Sequence, residues 1–229
     1  MGTLRVISHS GEAFLDRQEA GRLLGDVLAA GRENVQVSVV VLGIPRGGLL
    51  VAREIGRRLG AELDIALARK LGAPGNPELA IGAVAEDGHC FLDEELTRWT
   101  GADERYIQQE KARQIQEIAR RLSRFRQARP KVSLQGKEVI ITDDGAATGA
   151  TMQAALWCAR AEAPAKLVAA LPVAPPDTLQ RFATAADEVV CLRAPSFFQA
   201  VGQFYRDFEQ TDDEEVLEIL RQQMERKGA

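Results

Sequence analysis

Two adjacent carboxylates, followed by small and hydroxyl residues, stand out as groups that could do chemistry. Asp143 and Asp144 follow a β-branched run at residues 139–142. The loop after them leads into an expected helix and contains Gly145, Ala146, Ala147, Thr148, Gly149, Ala150 and Thr151. Small side chains let backbone N–H groups approach a phosphate, and a helix N-terminus favours its negative charge. The carboxylates suit sugar hydroxyls or a hydrated cation. The segment therefore predicts a sugar-phosphate site.

A second glycine-rich turn lies between an expected strand and an expected helix, at Arg46, Gly47 and Gly48. Glycine N–H groups and one arginine can hold a diphosphate, because the guanidinium donates in a planar fork. Arg69 and Lys70 add two cations where another strand ends, which suits the neutralisation of a departing diphosphate. Each element alone is also compatible with an ordinary turn or an exposed charged pair.

Other phosphate motifs do not account for the acidic loop. It lacks the Gly-Lys-Ser/Thr ending of a P-loop, and the Gly-x-Gly-x-x-Gly spacing of a dinucleotide site is absent. A hydrolase that uses the two acids is disfavoured, because the only histidines are His9 and His89 and no activating base lies nearby in the sequence. An ordinary strand-to-helix turn with solvated acids is the simplest alternative.

The surrounding pattern predicts an α/β fold with a central, mainly parallel sheet and flanking helices. Apolar runs predict strands at residues 37–42, 63–68, 138–142, 166–173 and 186–192. Amphipathic runs predict helices at residues 16–31, 49–59, 102–128, 149–161 and 211–225. Turn formers at residues 71–77 indicate a loop, and residues 81–85 and 90–92 could pair as a hairpin.

Local signals predict several helix ends. Asp16 with Glu19, and Thr211 with Glu214, have the spacing of N-terminal caps. The last turns and exit of the long helix carry a cationic cluster: Arg120, Arg121, Arg124, Arg126, Arg129 and Lys131. Cations at a helix C-terminus are favoured by the macrodipole. The alternative, an RNA-binding patch, lacks the interleaved aromatic residues that stack on bases.

Residues 139–151 resemble the phosphoribosyl diphosphate signature of type I phosphoribosyltransferases, in which hydrophobic residues precede two acids and a Thr-Gly-x-Thr loop. The resemblance covers residues 37–192. It implies one domain over residues 1–229, with a small hood at residues 186–210 plus the N-terminal segment. The helix at residues 102–128 would be an insertion, and residues 211–226 a C-terminal helix. Residues 43–48 resemble the family's diphosphate loop, which often holds a strained or cis peptide.

The resemblance implies a transferase that uses 5-phosphoribosyl 1-diphosphate and Mg²⁺ to ribosylate a nitrogenous base, with release of diphosphate. It implies that Asp143 and Asp144 hold the ribose hydroxyls and the metal, while residues 145–151 bind the 5-phosphate. Arg46, Gly47, Gly48, Arg69 and Lys70 would then bind the diphosphate. A homodimer is also expected from the family.

The segment that begins at Arg69 resembles adenine phosphoribosyltransferases, in which a glutamate of a flexible loop is linked to catalysis. That likeness implies Glu86 as a catalytic acid or base, alongside Asp144 and Lys70, and a loop over residues 71–88 that closes on the site. Ala147 stands where 6-oxopurine enzymes have an acid, so the loop is closer to the adenine and orotate types.

Aromatic residues near the C-terminus leave two interpretations of the acceptor site open. Phe197, Phe198, Tyr205 and Phe208 could stack on a base, or they could form the core of the hood. The hood core is the simpler interpretation. The sequence does not identify the acceptor.

Bulk properties narrow the class of protein. The chain has 229 residues and a net charge of -4, so no general attraction to nucleic acid or anionic membranes is expected. It has no run of about 18 apolar residues, and Met1 to Ala13 lack the pattern of a secretion signal, so we expect neither a membrane span nor a signal peptide. The three cysteines lack metal-like spacing. Together with these properties, the resemblance to phosphoribosyltransferases implies a cytoplasmic protein of nucleotide metabolism. The alternative function is a non-catalytic regulator that senses phosphoribosyl diphosphate or a nucleotide and contacts RNA through its cationic cluster.

Overall fold

The computed structural model describes residues 2–30 and 37–228, apart from the side chains of Glu78, Arg121 and residues 224–228. Its strands are β1 (Thr3–Ser8), β2 (Val39–Gly43), β3 (Glu62–Ile65), β4 (Ala68–Ala73), β5 (Asn76–Ala85), β6 (Cys90–Leu92), β7 (Glu138–Thr142), β8 (Lys166–Val173) and β9 (Glu188–Arg193). Its helices are α1 (Arg17–Ala29), α2 (Gly47–Leu59), α3 (Glu94–Thr100), α4 (Glu104–Ala128), α5 (Ala150–Ala161), α6 (Pro176–Phe182) and α7 (Asp213–Gly228). A short 3₁₀ turn spans Val201–Phe204.

The main sheet confirms the predicted parallel core. Six strands pair in the order β1-β9-β8-β7-β2-β3, and every pair is parallel. Val41 and Ile140 point to the face that packs against α1, α2 and α7. Their neighbours Val40 and Val139 point to the opposite face, which packs against α5 and α6. This alternation is what buries a parallel sheet on both faces.

The carboxyl ends of β2 and β7 lie side by side, with Gly43 opposite Thr142. The connection after β2 leads to α2 on one face, whereas the connection after β7 leads to α5 on the other. A crevice opens where neighbouring strands send their connections to opposite faces, and ligands of open α/β sheets bind at such points. The predicted diphosphate turn and the predicted acidic loop therefore meet at one edge of the sheet.

Residues 71–77 are not the predicted loop. They continue β4, turn at Pro74-Gly75 and enter β5, so β4, β5 and β6 form a separate antiparallel sheet. The turn formers misled the sequence analysis because Gly72 lies within a strand. A Cβ on Gly72 would be 2.7 Å from the Cα of Pro77, so only glycine permits this close approach of the two strands. The predicted strand at residues 63–68 likewise divides, ending in the main sheet at Ile65 and resuming in β4 at Ala68.

The predicted long helix is confirmed as α4, and it packs on the antiparallel sheet. Ile107 and Ile118 of α4 are buried against Leu71, Ile81 and Val84. Among the described residues, no helix is both long enough and apolar enough to cross a membrane.

The predicted helix caps are partly confirmed. The carboxylate of Asp16 accepts a hydrogen bond from the Glu19 N–H at 2.6 Å, as expected, while residue 31 of that predicted helix lies outside the described residues. The predicted cap at Thr211 is wrong. Helix α7 begins at Asp213, and Asp212 accepts from the Glu215 N–H at 2.8 Å.

The predicted hood is smaller than expected. Residues 188–193 form β9 inside the main sheet, and β1 pairs with it at the sheet edge, so neither belongs to the hood. The segment at residues 194–210 and residues 9–16, between β1 and α1, form a small cap, joined by a bridge between Phe14 and Tyr205. Phe198 packs on the buried Phe204 at 4.9 Å, whereas Phe197 is exposed.

Candidate functional site

The two acids at the end of β7 contact the first turn of α2. A Cβ on Gly47 would lie 2.0 Å from Oδ2 of Asp144, and a Cβ on Gly48 would lie 2.7 Å from the Cα of Asp143. Both glycines are therefore required for this approach. The peptide between Pro45 and Arg46, just before α2, is cis, as the resemblance implied. The N-terminus of α2, with its unpaired N–H groups, thus lies against the acid pair.

The carboxylate of Asp144 is held by an arginine that the sequence analysis missed. Nε of Arg17 donates to Oδ2 of Asp144 at 2.7 Å, and Nη1 of Arg17 donates to the carbonyl of Glu209 at 2.7 Å. The hydroxyl of Tyr205 donates to the carbonyl of Asp144 at 2.5 Å. Arg17 lies far from the acidic loop in sequence and opens an amphipathic helix, so no local signal distinguishes it from a surface cation.

Asp143 has a different environment from its neighbour. It is partly buried, and this burial together with the negative charge of Asp144 raises the pKa of Asp143 well above its ordinary value. Its Oδ1 accepts a hydrogen bond from the N–H of Asp144 at 2.9 Å. A ligand that brings hydroxyl donors or a cation would compensate the negative charge of these two partly buried carboxylates.

Two side chains of α6 form hydrogen bonds with the loop that follows the acids. The hydroxyl of Thr178 donates to the carbonyl of Ala147 at 2.8 Å, and Nη2 of Arg181 donates to the carbonyl of Thr148 at 2.9 Å. Gly149 has φ of 69°, a conformation that favours glycine, and caps α5. With its carbonyls engaged by α6, the loop leaves the first N–H groups of α5 for an anion.

Many of the predicted site residues line two adjoining cavities. The first, about 470 Å³, is lined by Arg17, Arg46, Gly47, both acids and the segment at residues 208–211. The second, about 510 Å³, is lined by Arg69, Lys70, Thr148, Ala150, Thr151 and one face of α4. Pro45 lines both cavities. The carboxylates thus lie on one side of the cis peptide, and the loop hydroxyls and two cations lie on the other.

Helix α4 braces the cation side of the site. Nε of Arg69 donates to Oε1 of Gln114 at 2.6 Å, and Nε2 of Gln114 donates to Oε1 of the buried Glu110 at 2.8 Å. The hydroxyl of Tyr106 donates to the carbonyl of Gly72 at 2.9 Å. The segment expected to be a flexible closing loop is therefore a hairpin tied to α4 in this structure.

Glu86 is not brought to the site. Its two carboxylate oxygens accept from Nε and Nη2 of Arg126 at 2.8 and 2.6 Å. Nη1 of Arg126 also donates to the buried Asp64 at 2.7 Å. The Glu86 side chain is 8% exposed, so this is a buried ion-pair network below the hairpin. The expectation of an acid or base at Glu86 is corrected to a structural role, because the carboxylate is consumed by Arg126.

The cationic cluster is engaged within the chain. Apart from Arg121, whose side chain the structure does not describe, each of its cations pairs with an acid of this protein. Lys131, for example, pairs with Asp87 and Glu162. Burial raises the pKa of Asp87, but hydrogen bonds from Lys131 and His89 outweigh this effect and lower it to about 2. The RNA-binding alternative therefore gains no support from these cations.

The donor set at the acids fits Mg²⁺ that arrives with a phosphorylated ligand. Within residues 2–30 and 37–228, no group of three or more His, Cys, Asp or Glu residues gathers as a metal cage. Mg²⁺ usually takes one or two carboxylates together with substrate phosphates and water, rather than an all-protein cage. Asp143 and Asp144, beside the N-terminus of α2, provide such carboxylates.

Comparisons with known proteins agree with this geometry. A family described as the phosphoribosyl transferase domain matches residues 10–209. Two proteins from two strains of Mycobacterium tuberculosis, each named "Putative phosphoribosyl transferase", are 47% identical over 209 residues, which is 90% of this chain and 46% of theirs. This chain thus spans about half the length of these curated relatives. The crystal structure of TT1426 from Thermus thermophilus is 46% identical, covers 92% of this chain and 98% of its own, and superposes with a TM-score of 0.85.

Proposed function

This chain belongs to the phosphoribosyl transferase family, and we propose from that premise that it transfers the phosphoribosyl group of 5-phosphoribosyl 1-diphosphate to a nitrogenous acceptor. One observation carries the proposal. The N-terminus of α2 and the acid pair approach so closely that a Cβ on Gly47 would lie 2.0 Å from Asp144. This contact joins the proposed diphosphate-binding turn to the proposed diol-binding acid pair, and such a donor requires both recognition elements.

Each part of the donor has matching groups. The ribose hydroxyls would be held by Asp143 and Asp144, and the 5-phosphate by the N–H and hydroxyl groups of residues 145–151. The diphosphate would contact Arg46, the N–H groups of Gly47 and Gly48, and the cations Arg69 and Lys70. Asp143 and Asp144 would hold Mg²⁺, which would supply charge neutralisation of the leaving group.

The reaction follows from these positions. A nitrogen of the acceptor attacks C1 of the ribose, the bond from C1 to the diphosphate oxygen breaks, and diphosphate leaves with that electron pair. Positive charge develops on the ribose in the transition state. Positioning by the acids and neutralisation of diphosphate by the cations therefore contribute most of the catalysis. Lys70 and Asp144 are the proposed catalytic residues.

The decisive experiment measures diphosphate release from 5-phosphoribosyl 1-diphosphate and Mg²⁺ across a panel of bases. The Asp144→Asn protein should fold normally and lose turnover by orders of magnitude. Asp26→Asn is the matched control, because Asp26 also pairs with an arginine, Arg58, but on the exposed surface of α1. Unchanged turnover in Asp144→Asn would refute the assignment of Asp144. In that case, a thermal-shift assay tests whether the protein binds the donor.

Two finer proposals accompany this function. Ala147 provides no acid for a 6-oxopurine, so hypoxanthine and guanine should be poorer acceptors than adenine or orotate-like bases in the same panel. A homodimer in the cytoplasm is also proposed, on the expectation from the family. Light scattering of the purified chain tests the dimer, and a monomer mass at micromolar concentration would refute it.

A further inference from the structure

Arg17 makes a buried contact with the acid pair that the proposed function has not used. Its side chain is 10% exposed, and the Asp144 side chain that it contacts is 15% exposed. Both residues line the 470 Å³ cavity together with Arg46 and Gly47. The contact is therefore internal to the candidate site, unlike the exposed ion pairs on the helices.

Arg17 is itself fixed on three sides. It lies in the first turn of α1, where the N-terminal cap at Asp16 sets the direction of the helix. Its Nη1 donates to the Glu209 carbonyl, and its guanidinium stacks on the ring of Phe208, with Cζ 3.9 Å from the ring centroid. A guanidinium held by a helix, a carbonyl and an aromatic ring presents its Nε in one orientation.

The ion pair between Arg17 and Asp144 orients the Asp144 carboxylate but occupies only one of its two oxygens. Arg17 donates to Oδ2 of Asp144 only, and the hydroxyl of Tyr205 donates to the main-chain carbonyl of Asp144. Arg17 thus engages one of the two Asp144 carboxylate oxygens. An oriented carboxylate with one oxygen engaged can still accept a ribose hydroxyl through the other.

We propose that Arg17 is a positioning residue, which orients the Asp144 carboxylate for binding of the donor. This inference rests on the proposed function, since it assigns Arg17 to the same site. Arg17 acts through Asp144 and not through its own contact with ligand. Removal of Arg17 should therefore weaken donor binding only while residue 144 is a carboxylate.

The test is a double-mutant cycle on the Kd of 5-phosphoribosyl 1-diphosphate with Mg²⁺, measured by calorimetry in a competition format. Arg17→Met keeps an unbranched apolar side chain and removes the guanidinium, with its charge and its contact with Phe208. We expect it to weaken binding by roughly 10- to 100-fold, from the usual contribution of a hydrogen bond to a charged group. In the Asp144→Asn background, the same substitution should change Kd by less than about threefold, because the group that it orients is gone.

Arg193→Met is the matched control. Arg193 also stacks on an aromatic ring, with Cζ 3.7 Å from the Phe14 centroid, and donates to the Glu12 carbonyl, but it does not contact the acids. Its donor affinity should equal that of the parent protein. Unchanged or tighter binding in Arg17→Met would overturn the proposal. An equal loss in both backgrounds would also overturn it, because Arg17 would then contact the ligand directly.

A second variant keeps the cycle decisive if Arg17→Met does not fold. Arg17→Lys retains the charge and the stem, but one ammonium cannot reproduce the planar fork that joins Asp144 to the Glu209 carbonyl. A loss of threefold or more that disappears in the Asp144→Asn background supports the proposal, and no loss overturns it. Failure of the parent protein to bind the donor would instead refute the proposed function, so the two failures are distinguishable.

Discussion

Replacement of Gly47 by alanine tests how closely α2 approaches the acid pair. The new Cβ would lie 2.0 Å from Oδ2 and 2.7 Å from Cγ of Asp144, and 2.8 Å from Nε of Arg17. Ordinary van der Waals contact begins at 3.4 Å, so the nearest atoms must separate by about 1.4 Å. The Asp144 side chain can rotate to make room, but only by leaving Arg17.

The free energy of unfolding should therefore fall by about 1–3 kcal/mol, the usual cost of overpacking. For a chain of this size, that corresponds to a Tm lower by roughly 2–4 °C for each kcal/mol. Gly48→Ala should cost more than Gly47→Ala, because its Cβ would be 2.7 Å from the backbone Cα of Asp143, which cannot rotate away. Donor affinity should fall in both variants.

Gly56→Ala in the same helix is the matched control. A Cβ there meets nothing closer than 3.7 Å, so the substitution should stabilise the helix by about 0.5–1 kcal/mol. The assay is thermal unfolding of the three variants beside the parent protein, followed by calorimetric titration with the donor. A Gly47→Ala protein as stable as Gly56→Ala, with unchanged affinity, would refute the described approach of α2 to Asp144.

Three further outcomes follow from the described contacts. Arg126→Met should lower the free energy of unfolding by about 3–5 kcal/mol, because it removes the cation that pairs with the buried carboxylates of Asp64 and Glu86. The control, Arg120→Met at an exposed pair, should shift it by no more than about 0.5 kcal/mol. Denaturant unfolding measures both free energies. Since the pKa of Asp87 is lowered to about 2, its ion pair should stabilise the protein above its unfolded pKa and lose that contribution as the pH falls toward 2. The stability advantage of the parent protein over Asp87→Asn should therefore shrink between pH 5 and 2, and an advantage that is constant across this range contradicts the pairing. Burial raises the pKa of Cys158 and Cys191 to about 12, so mass spectrometry should find both unalkylated at pH 8 until the protein unfolds, and rapid labelling of the folded protein would show that these thiols are not buried.

The sequence by itself determined the parallel core and the acidic loop. Residues 138–142 form a buried strand because their apolar run suits a sheet covered on both faces, and the acids and small residues after it are consecutive in the chain. The long helix α4 was also predicted from its own periodicity. Signals that depend on neighbours in sequence were therefore sufficient for these features.

Only the tertiary structure decided which side chains complete the site. Arg17 and Asp144 are 127 residues apart, and nothing in the residues around Arg17 indicates that α1 delivers it to the acid pair. The resemblance to adenine phosphoribosyltransferases implied a catalytic role for Glu86, but Arg126, 40 residues away, binds its carboxylate in a buried network. Gly72 was predicted to lie in a loop, but it lies within β4, where the close approach of Pro77 leaves no room for a Cβ. Each of these roles is set by contacts between distant segments, which local propensity and spacing do not encode.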